Sequence, residues 1–228
     1  MTWATIHGPF GHRRFVDADF EWAVKAAHHE PGDTPCRSFE QLAVLWAMAN
    51  RWASGKSRAE SFGVLLKNYC QPINVNQIGK VHTYDRTPAD PEGLVRSAER
   101  DARIRANIAR PLDWYVANAP ETVGLVARFM RGLLPVPRSM IGVVDFAARF
   151  VMHGAPWIEA EIPELQRCSG AERFWKMPWS AGWSAGTVRI GGRGVGYVGP
   201  VALLVVVAGG SWWYLRQKSR RVVRRRQR

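Results

Sequence analysis

Glu30 stands where a carboxylic acid could take part in proton transfer. It lies at the end of an apolar helical segment, in "AAHHEP", and the ring of Pro31 disfavours helical structure in the residue before it. A carboxyl group at the opening between two apolar helices loses hydration, and this raises its pKa until it keeps a proton near neutral pH. The pattern predicts a general acid, which delivers a proton to a leaving oxygen.

Other interpretations of this stretch stay open. Glu30 is also compatible with a solvated glutamate at a helix end, beside two histidines. Glu21 and Glu40 are the alternative acids, but each lies in the first turn of a helix, where a carboxylate interacts favourably with the helix dipole. His28 and His29 are not expected to bind a metal together, because neighbouring residues point about 100° apart on a helix. We expect no cofactor and no metal.

Two helices are predicted to position this acid. The first begins at Asp17 or Asp19 and carries the glutamate at its end. The second begins at Ser38, where Gln41 completes a capping box, and continues through "LAVLWAMANRW". Because this second helix is apolar on nearly every side, we expect it to be central, with Trp46 in the core.

The rest of the chain predicts further helices and one long loop. The predicted elements are a helix that ends at Tyr69, a loop over 71–92, a polar helix over 93–108, a helix from Pro120 to Arg131, and a short extended run in "VPRSMIGVVDFAARF". Helices dominate this reading, so we expect a mainly α fold.

The C-terminal part differs from the rest in charge and hydropathy. The net charge is +13, yet the chain has no acidic residue after Glu172. An uncharged, apolar run is long enough to span a bilayer, and arginines follow it directly. The predicted organisation is a catalytic domain over 1–172, an aromatic and glycine-rich linker over 173–193, a transmembrane segment over 194–215, and a basic tail over 216–228.

The three cysteines are Cys36, Cys70 and Cys168. An odd number without metal-like spacing argues against a disulfide framework and against a zinc site. We therefore expect reduced thiols.

Five segments in order resemble lysozyme-like peptidoglycan hydrolases of phage and bacterial cell-wall type. They are "HHEP", "LAVLWAMANRW", "SFGVLLKNYCQPIN", "LVARFMRGLLPVP" and "VVDFAARF". The likeness covers roughly residues 20–150. It implies a lysozyme-like helical domain, here followed by a C-terminal transmembrane helix. It also implies a catalytic glutamate at the end of the first core helix, the position of Glu30, and an activity that cuts the glycan strands of the cell wall.

The same resemblance suggests which residues contact the glycan. Asn50 and Arg51 match the family's Asn-Arg helix end, although such a pair can equally fix a loop. Amide and phenol groups at the exit of the next helix suit sugar hydroxyls and acetamido groups, although an amide-rich turn is also ordinary loop chemistry. These groups belong to Tyr69, Gln71 and Asn74. Val75 replaces the family's proline after "QPIN", so the shape of that loop differs.

The reaction type depends on whether a second carboxylate exists. Most glycosidases use two acids, and Asp33 is the candidate nearest in sequence. The resemblance also permits a mechanism with one glutamate, as in lytic transglycosylases. There Glu30 would protonate the glycosidic oxygen and then take a proton from the sugar's own 6-hydroxyl, leaving a 1,6-anhydro end. We favour this reaction over hydrolysis by a muramidase.

These inferences together predict a membrane-anchored, phage-type enzyme that degrades peptidoglycan during entry or lysis. The expected partners are peptidoglycan glycan strands, a membrane through 194–215, and anionic lipid or nucleic acid through 216–228. The expected localisation is a single-pass membrane protein of the virion or the host envelope. The alternative is a non-enzymatic, membrane-anchored virion or envelope protein whose domain binds glycan or serves as a scaffold.

Overall fold

The structure of the chain is a computed structural model that describes most of its first 191 residues. The described ranges are 3–31, 34–147, 153–168, 171–184 and 186–191. The chain divides into two units, 1–192 and 193–228, and every described residue belongs to the first unit.

Helices are the most abundant secondary structure among the described residues. There are seven in these ranges: α1 Asp17–His29, α2 Arg37–Ala53, α3 Phe62–Tyr69, α4 Leu94–Ala109, α5 Leu112–Asn118, α6 Pro120–Met130 and α7 Pro178–Ala181. Short 3₁₀ turns over Gln71–Ile73, Val75–Gln77 and Thr83–Asp85 occupy the segment predicted as a long loop.

Six short strands form two antiparallel sheets of three strands each. The strands are β1 Thr5–Gly8, β2 Gly11–Arg14, β3 Val143–Ala147, β4 Ile158–Glu159, β5 Arg173–Lys176 and β6 Arg189–Ile190. Their orders are β2-β1-β6 and β3-β5-β4. The fold is therefore mixed α/β, and the expectation of a mainly α fold is wrong. Strands of two to five residues are too short to show the alternating pattern by which a strand is recognised in sequence.

Glycines allow the first sheet to fit against the helices. A Cβ at Gly8 would lie 2.6 Å from both the Cβ and the backbone oxygen of Ala53, so only glycine lets this hairpin approach the end of α2. Gly11 has a φ of +128°, a conformation that side chains disfavour. On β1, Ile6 is fully buried and lies opposite Arg13 and Ile190.

Helix α2 is the centre of the core, as its sequence predicted. All seven residues from position 43 to position 49 are at most 1% exposed. Trp46 packs edge to face against Phe129 of α6, with 5.1 Å between ring centroids. This helix also contacts α1 and β3, and it therefore connects the helical part to the second sheet.

The second sheet includes chain that the sequence assigned to a linker. Residues 173–193 contribute β5, α7 and β6, and β5 is the middle strand of its sheet. Phe146 of β3 lies opposite Phe174 of β5. The pairing places the residue before β5, Glu172, against the first turn of α2.

One finding corrects the expected single-pass membrane localisation. None of the helices in the described part of the chain is long and apolar enough to cross a membrane. The predicted transmembrane segment 194–215 and the basic tail 216–228 lie outside the described residues.

Candidate active site

Glu30 ends helix α1 and directs one carboxyl oxygen into the protein. Its backbone N–H donates the last hydrogen bond of the helix, to the carbonyl of Ala26 at 2.9 Å. The residue as a whole is half-buried, but Oε2 is fully buried and has no hydrogen-bond partner among the described residues. Unpaired buried polar atoms are uncommon in native proteins, and they are often associated with function.

The surroundings of Glu30 favour its protonated form. Burial raises its pKa well above the ordinary value, and the neighbouring carboxylate of Glu172 raises it further. The backbone N–H of Gln71 acts in the opposite direction, because it donates a hydrogen bond to the carboxylate. The net result is a carboxyl whose pKa lies well above its ordinary value, the direction that favours a general acid.

Glu172 is the second acid of the site, and the sequence reasoning missed it. Its backbone N–H donates to Oε1 of Glu40 at 2.6 Å, which holds the residue at the start of α2. Its Oε2 is buried and unpaired within the described chain. Burial, followed by the charge of Glu40, raises the pKa of Glu172 to about 7. Nothing in its local sequence indicates this position.

The two alternative acids have structural partners. Glu40 is fully buried and accepts hydrogen bonds from the hydroxyl of Thr34 at 3.0 Å and from the Glu172 N–H. Glu21 pairs with Nζ of Lys25 at 2.6 Å. Neither acid resembles Glu30, whose inner oxygen is unpaired. Asp33, the second acid suggested by sequence, lies outside the described residues.

A disulfide holds the segment that carries Glu172. Cys36, just before α2, is bonded to Cys168, with 6.0 Å between their Cα atoms. The expectation of three reduced thiols is therefore wrong, and in the described chain Cys70 is the free cysteine. The number of cysteines could not reveal this bond, because a disulfide between two of three cysteines leaves the third one free. The bond connects the chain before Glu172 to the helix that Glu172 contacts.

Cys70 lies between two acids. It is fully buried, and burial, then Glu30, then Asp145 raise the pKa of its thiol well above the ordinary value. Burial also raises the pKa of Asp145, while Arg51 lowers it. The Glu30 site and β3 are therefore neighbours through Cys70.

Arg51 connects β3 to the exit of α3. Its Nη1 lies 3.4 Å from Oδ2 of Asp145 and donates to the carbonyl of Val144 at 3.1 Å. Its guanidinium lies over the ring of Tyr69, 4.1 Å from the centroid. Tyr69 is 41% exposed, so the phenol ring offers an accessible surface beside these charges.

The other predicted contact residues divide into buried and accessible ones. Asn50 is buried and donates to the carbonyls of Met140 and Val143 at 3.0 and 2.8 Å, which ties α2 to β3. Asn74 is buried and donates to the Asn68 carbonyl at 2.6 Å. The roles of both amides in the described structure are structural.

Gln71 has a different position from these two amides. Its Nε2 donates to the hydroxyl of Tyr84 at 2.5 Å. Both residues line a cavity of about 520 Å³, together with His29, Arg96, Arg103 and Asn107. His29 directly precedes Glu30, and the Gln71 backbone N–H donates to the Glu30 carboxylate. The cavity therefore borders Glu30.

Two tryptophans of α1 and α2 have partners of their own. Trp46 packs against Phe129, and the ring of Trp22 lies 4.7 Å from the ammonium groups of both Lys25 and Lys67.

Comparison of the chain with protein-family models, with curated proteins and with solved structures finds no match. The resemblance to lysozyme-like peptidoglycan hydrolases stays a prediction that rests on the segments themselves.

Proposed function

We propose that this protein is an enzyme that cleaves the glycan strands of peptidoglycan, with Glu30 as the general acid. The observation that carries this proposal is the state of Glu30. Its Oε2 is buried and unpaired among the described residues, and burial beside Glu172 raises the pKa of the carboxyl well above its ordinary value. A protonated carboxyl is the group that glycosidic cleavage requires, because the leaving oxygen must receive a proton as its bond to the sugar breaks.

The groups around Glu30 suit a carbohydrate. The exposed ring of Tyr69 can stack on a sugar face, and the Arg51 guanidinium under it holds that ring in place. In the cavity that His29 also lines, Gln71 and Tyr84 contribute an amide and a phenol. Such groups match the hydroxyl and acetamido groups of amino sugars.

The disulfide also agrees with this substrate. Disulfides persist in oxidising surroundings outside the cytosol. Peptidoglycan lies in the same surroundings, so the bond between Cys36 and Cys168 fits an enzyme that works there.

The reaction begins in the same way for a muramidase and for a lytic transglycosylase. Glu30 gives its proton to the glycosidic oxygen, the bond from that oxygen to C1 breaks, and the leaving sugar departs with a new hydroxyl. A nucleophile then bonds to C1 and loses a proton to a base. Water as nucleophile yields a reducing end, whereas the sugar's own 6-hydroxyl yields a 1,6-anhydro end.

The experiment uses the full chain on purified peptidoglycan, with mass spectrometry of the released fragments. The Glu30→Gln variant keeps the shape of the side chain but cannot donate the acidic proton. We expect it to lose about 10²–10⁴-fold in the rate of fragment release. Its circular dichroism spectrum should match that of the wild type.

The matched control is Glu164→Gln, which removes one exposed carboxylate without touching the site. It should release fragments at the wild-type rate. A folded Glu30→Gln variant with near-full activity would remove Glu30 from the mechanism. An inactive wild-type chain would refute the proposed activity as a whole.

A further inference from the structure

We infer that Glu172 is the catalytic partner of Glu30, the base that removes a proton from the attacking water. This inference rests on the proposed glycan cleavage and makes that cleavage a hydrolysis. It assigns a role to a residue that neither its sequence motif nor the family resemblance indicated.

The two carboxyl groups share a structural feature. Each has an Oε2 that is fully buried and without a hydrogen-bond partner in the described ranges. One stands at the end of α1 and the other directly before β5, and the two are close enough for the charge of Glu172 to raise the pKa of Glu30. Two neighbouring acids whose inner oxygens are desolvated and unpaired can offer those oxygens to a substrate oxygen and to water.

Three structural features hold Glu172 in position. Its N–H is hydrogen-bonded to Glu40, and β5 follows it directly. Four residues before it, Cys168 is covalently linked to the chain before α2. A carboxyl group held by a hydrogen bond, a strand and a disulfide keeps a defined position, and a catalytic base requires this.

The two acids differ in the causes of their pKa shifts. The pKa of Glu172 is raised to about 7 by burial and by Glu40. The pKa of Glu30 is raised well above its ordinary value by burial and by the charge of Glu172. The charge of Glu172 acts on Glu30, whereas burial and Glu40 account for the shift of Glu172, so we assign the charged role to Glu172 and the protonated role to Glu30. Environments that separate the pKa values of two carboxyls assign one as acid and the other as base.

The charged groups around the pair do not reverse this assignment. Glu40 of α2 raises the pKa of Glu172, and the pKa of the buried Cys70 thiol beside Glu30 is itself raised well above its ordinary value. Asp145 of β3 is paired with Arg51, and His153 lies close to Asp145. Arg51 therefore acts on Asp145, and the charges that shift the pKa values of Glu30 and Glu172 are those of neighbouring acids.

The balanced step follows from these roles. Glu30 transfers its proton to the glycosidic oxygen as the bond to C1 breaks. Glu172 takes a proton from water, and the remaining hydroxyl forms a bond to C1. The enzyme then holds a charged Glu30 and a protonated Glu172, and one proton returned through solvent restores the starting state. The product carries a reducing end.

The first test is independent of activity. The full chain with ¹³C-labelled glutamate carboxyls is titrated by NMR in the wild type, in Glu172→Gln and in Glu164→Gln. The titration midpoint of Glu30 should move to lower pH in Glu172→Gln, because a neighbouring negative charge is gone. Glu164→Gln should leave it in place. An unmoved midpoint in Glu172→Gln would refute the pairing, whether or not the chain cuts peptidoglycan.

The second test identifies the base. Glu172→Ala should slow the release of fragments by about 10²–10⁴-fold. Azide is already an anion and needs no base, so it should restore cleavage in Glu172→Ala and appear bonded to C1 of the product. It should not restore Glu30→Gln. A structural role for Glu172 predicts no rescue, which would overturn the assignment.

The products separate failure of this inference from failure of the proposed function. Reducing ends from the wild type support Glu172 as base. Anhydro ends would refute it while leaving glycan cleavage by Glu30 intact. An absence of any product would refute the proposed function, and the NMR titration would still decide whether the two acids are coupled.

Discussion

Two regions of this molecule bury acidic side chains, but only one of them pairs the acid with a cation. Asp85 is 3% exposed and accepts a short hydrogen bond from Arg100, which is itself buried. The His82 backbone N–H donates to the same carboxylate oxygen at 2.8 Å. Glu30 and Glu172 are also removed from water, but the Oε2 of each has no partner in the described part of the chain.

The pKa values express this difference. Burial by itself raises the pKa of Asp85, but the hydrogen bonds from His82 and Arg100 outweigh it, and the net pKa is below the ordinary value. Burial raises the pKa of Glu30 and Glu172, and their nearest charged neighbours are further acids. Burial therefore raises the pKa of a carboxyl, as a general acid requires, only where no cation is paired with it.

The largest expected effect in this comparison comes from removing Arg100, the cation that pairs with Asp85. Arg100→Ala leaves Asp85 as a buried charge without its partner. Loss of one member of a buried ion pair costs about 3–5 kcal/mol in the free energy of unfolding. Urea unfolding measures this loss. Glu30→Gln, which removes an unpaired acid, should leave the free energy of unfolding unchanged or higher.

The control for this prediction is Arg103→Ala, an exposed arginine on the same helix. It should change the free energy of unfolding by at most about 0.5 kcal/mol. If Arg100→Ala lowers the free energy of unfolding no more than Arg103→Ala does, Asp85 does not depend on its cation and the contrast with Glu30 fails.

A second effect tests whether the disulfide between Cys36 and Cys168 stabilises the region of Glu30 and Glu172, which has no ion pair at either acid among the described residues. Replacing Cys36 and Cys168 with serine removes a crosslink that closes a long loop, with a sequence separation of 132. Loss of a native disulfide costs about 2–5 kcal/mol. Urea unfolding of the double variant should show this loss, and fragment release should fall because Glu172 loses its covalent support.

Reductant provides the matched control. It should lower the stability of the wild type to that of the double variant and should not change the variant. Thiol titration of the denatured, unreduced wild type should find one free thiol, that of Cys70. Three free thiols would contradict the disulfide.

The smallest expected effect is the dependence of stability on pH, which should have opposite signs in the two regions. A carboxyl with a raised pKa binds more protons in the folded protein than in the unfolded one, so its stabilising effect is lost as pH rises. For Glu172 this occurs between its ordinary pKa of 4.5 and about 7. The loss is on the order of 2–3 kcal/mol, since one pKa unit corresponds to about 1.4 kcal/mol. For Asp85, whose pKa is lowered, stability is instead lost as pH falls below its ordinary pKa of 3.8.

Urea unfolding from pH 4.5 to pH 7 measures the first of these slopes. Glu172→Gln should flatten the decline in stability over that range, and Glu164→Gln should not. A decline that persists unchanged in Glu172→Gln would show that another group titrates there.

The helices were predictable because their signals are local. Polar helix starts, apolar periodicity and the prolines at 31 and 120 act over a few positions, and they placed α1, α2, α4 and α6 within a few residues of their observed ends. The capping box predicted at Ser38 is wrong, because α2 begins at Arg37 and Gln41 donates to Thr122 instead. The same signals placed Glu30 at the end of α1 and identified α2 as central. The short strands were missed because pairing, and not local pattern, makes β4, β5 and β6 strands.

The sequence by itself determined the helical framework and the acid at its edge, because these depend on neighbours along the chain. Only the tertiary structure decided which groups surround that acid. The β3–β5 pairing and the bond between Cys36 and Cys168 bring Glu172 against α2, 132 residues away from Glu40. The same folding places Asn50 and Asn74 in buried hydrogen bonds. Contacts between distant residues depend on packing, which no local pattern records, and these contacts set the pKa values of the site.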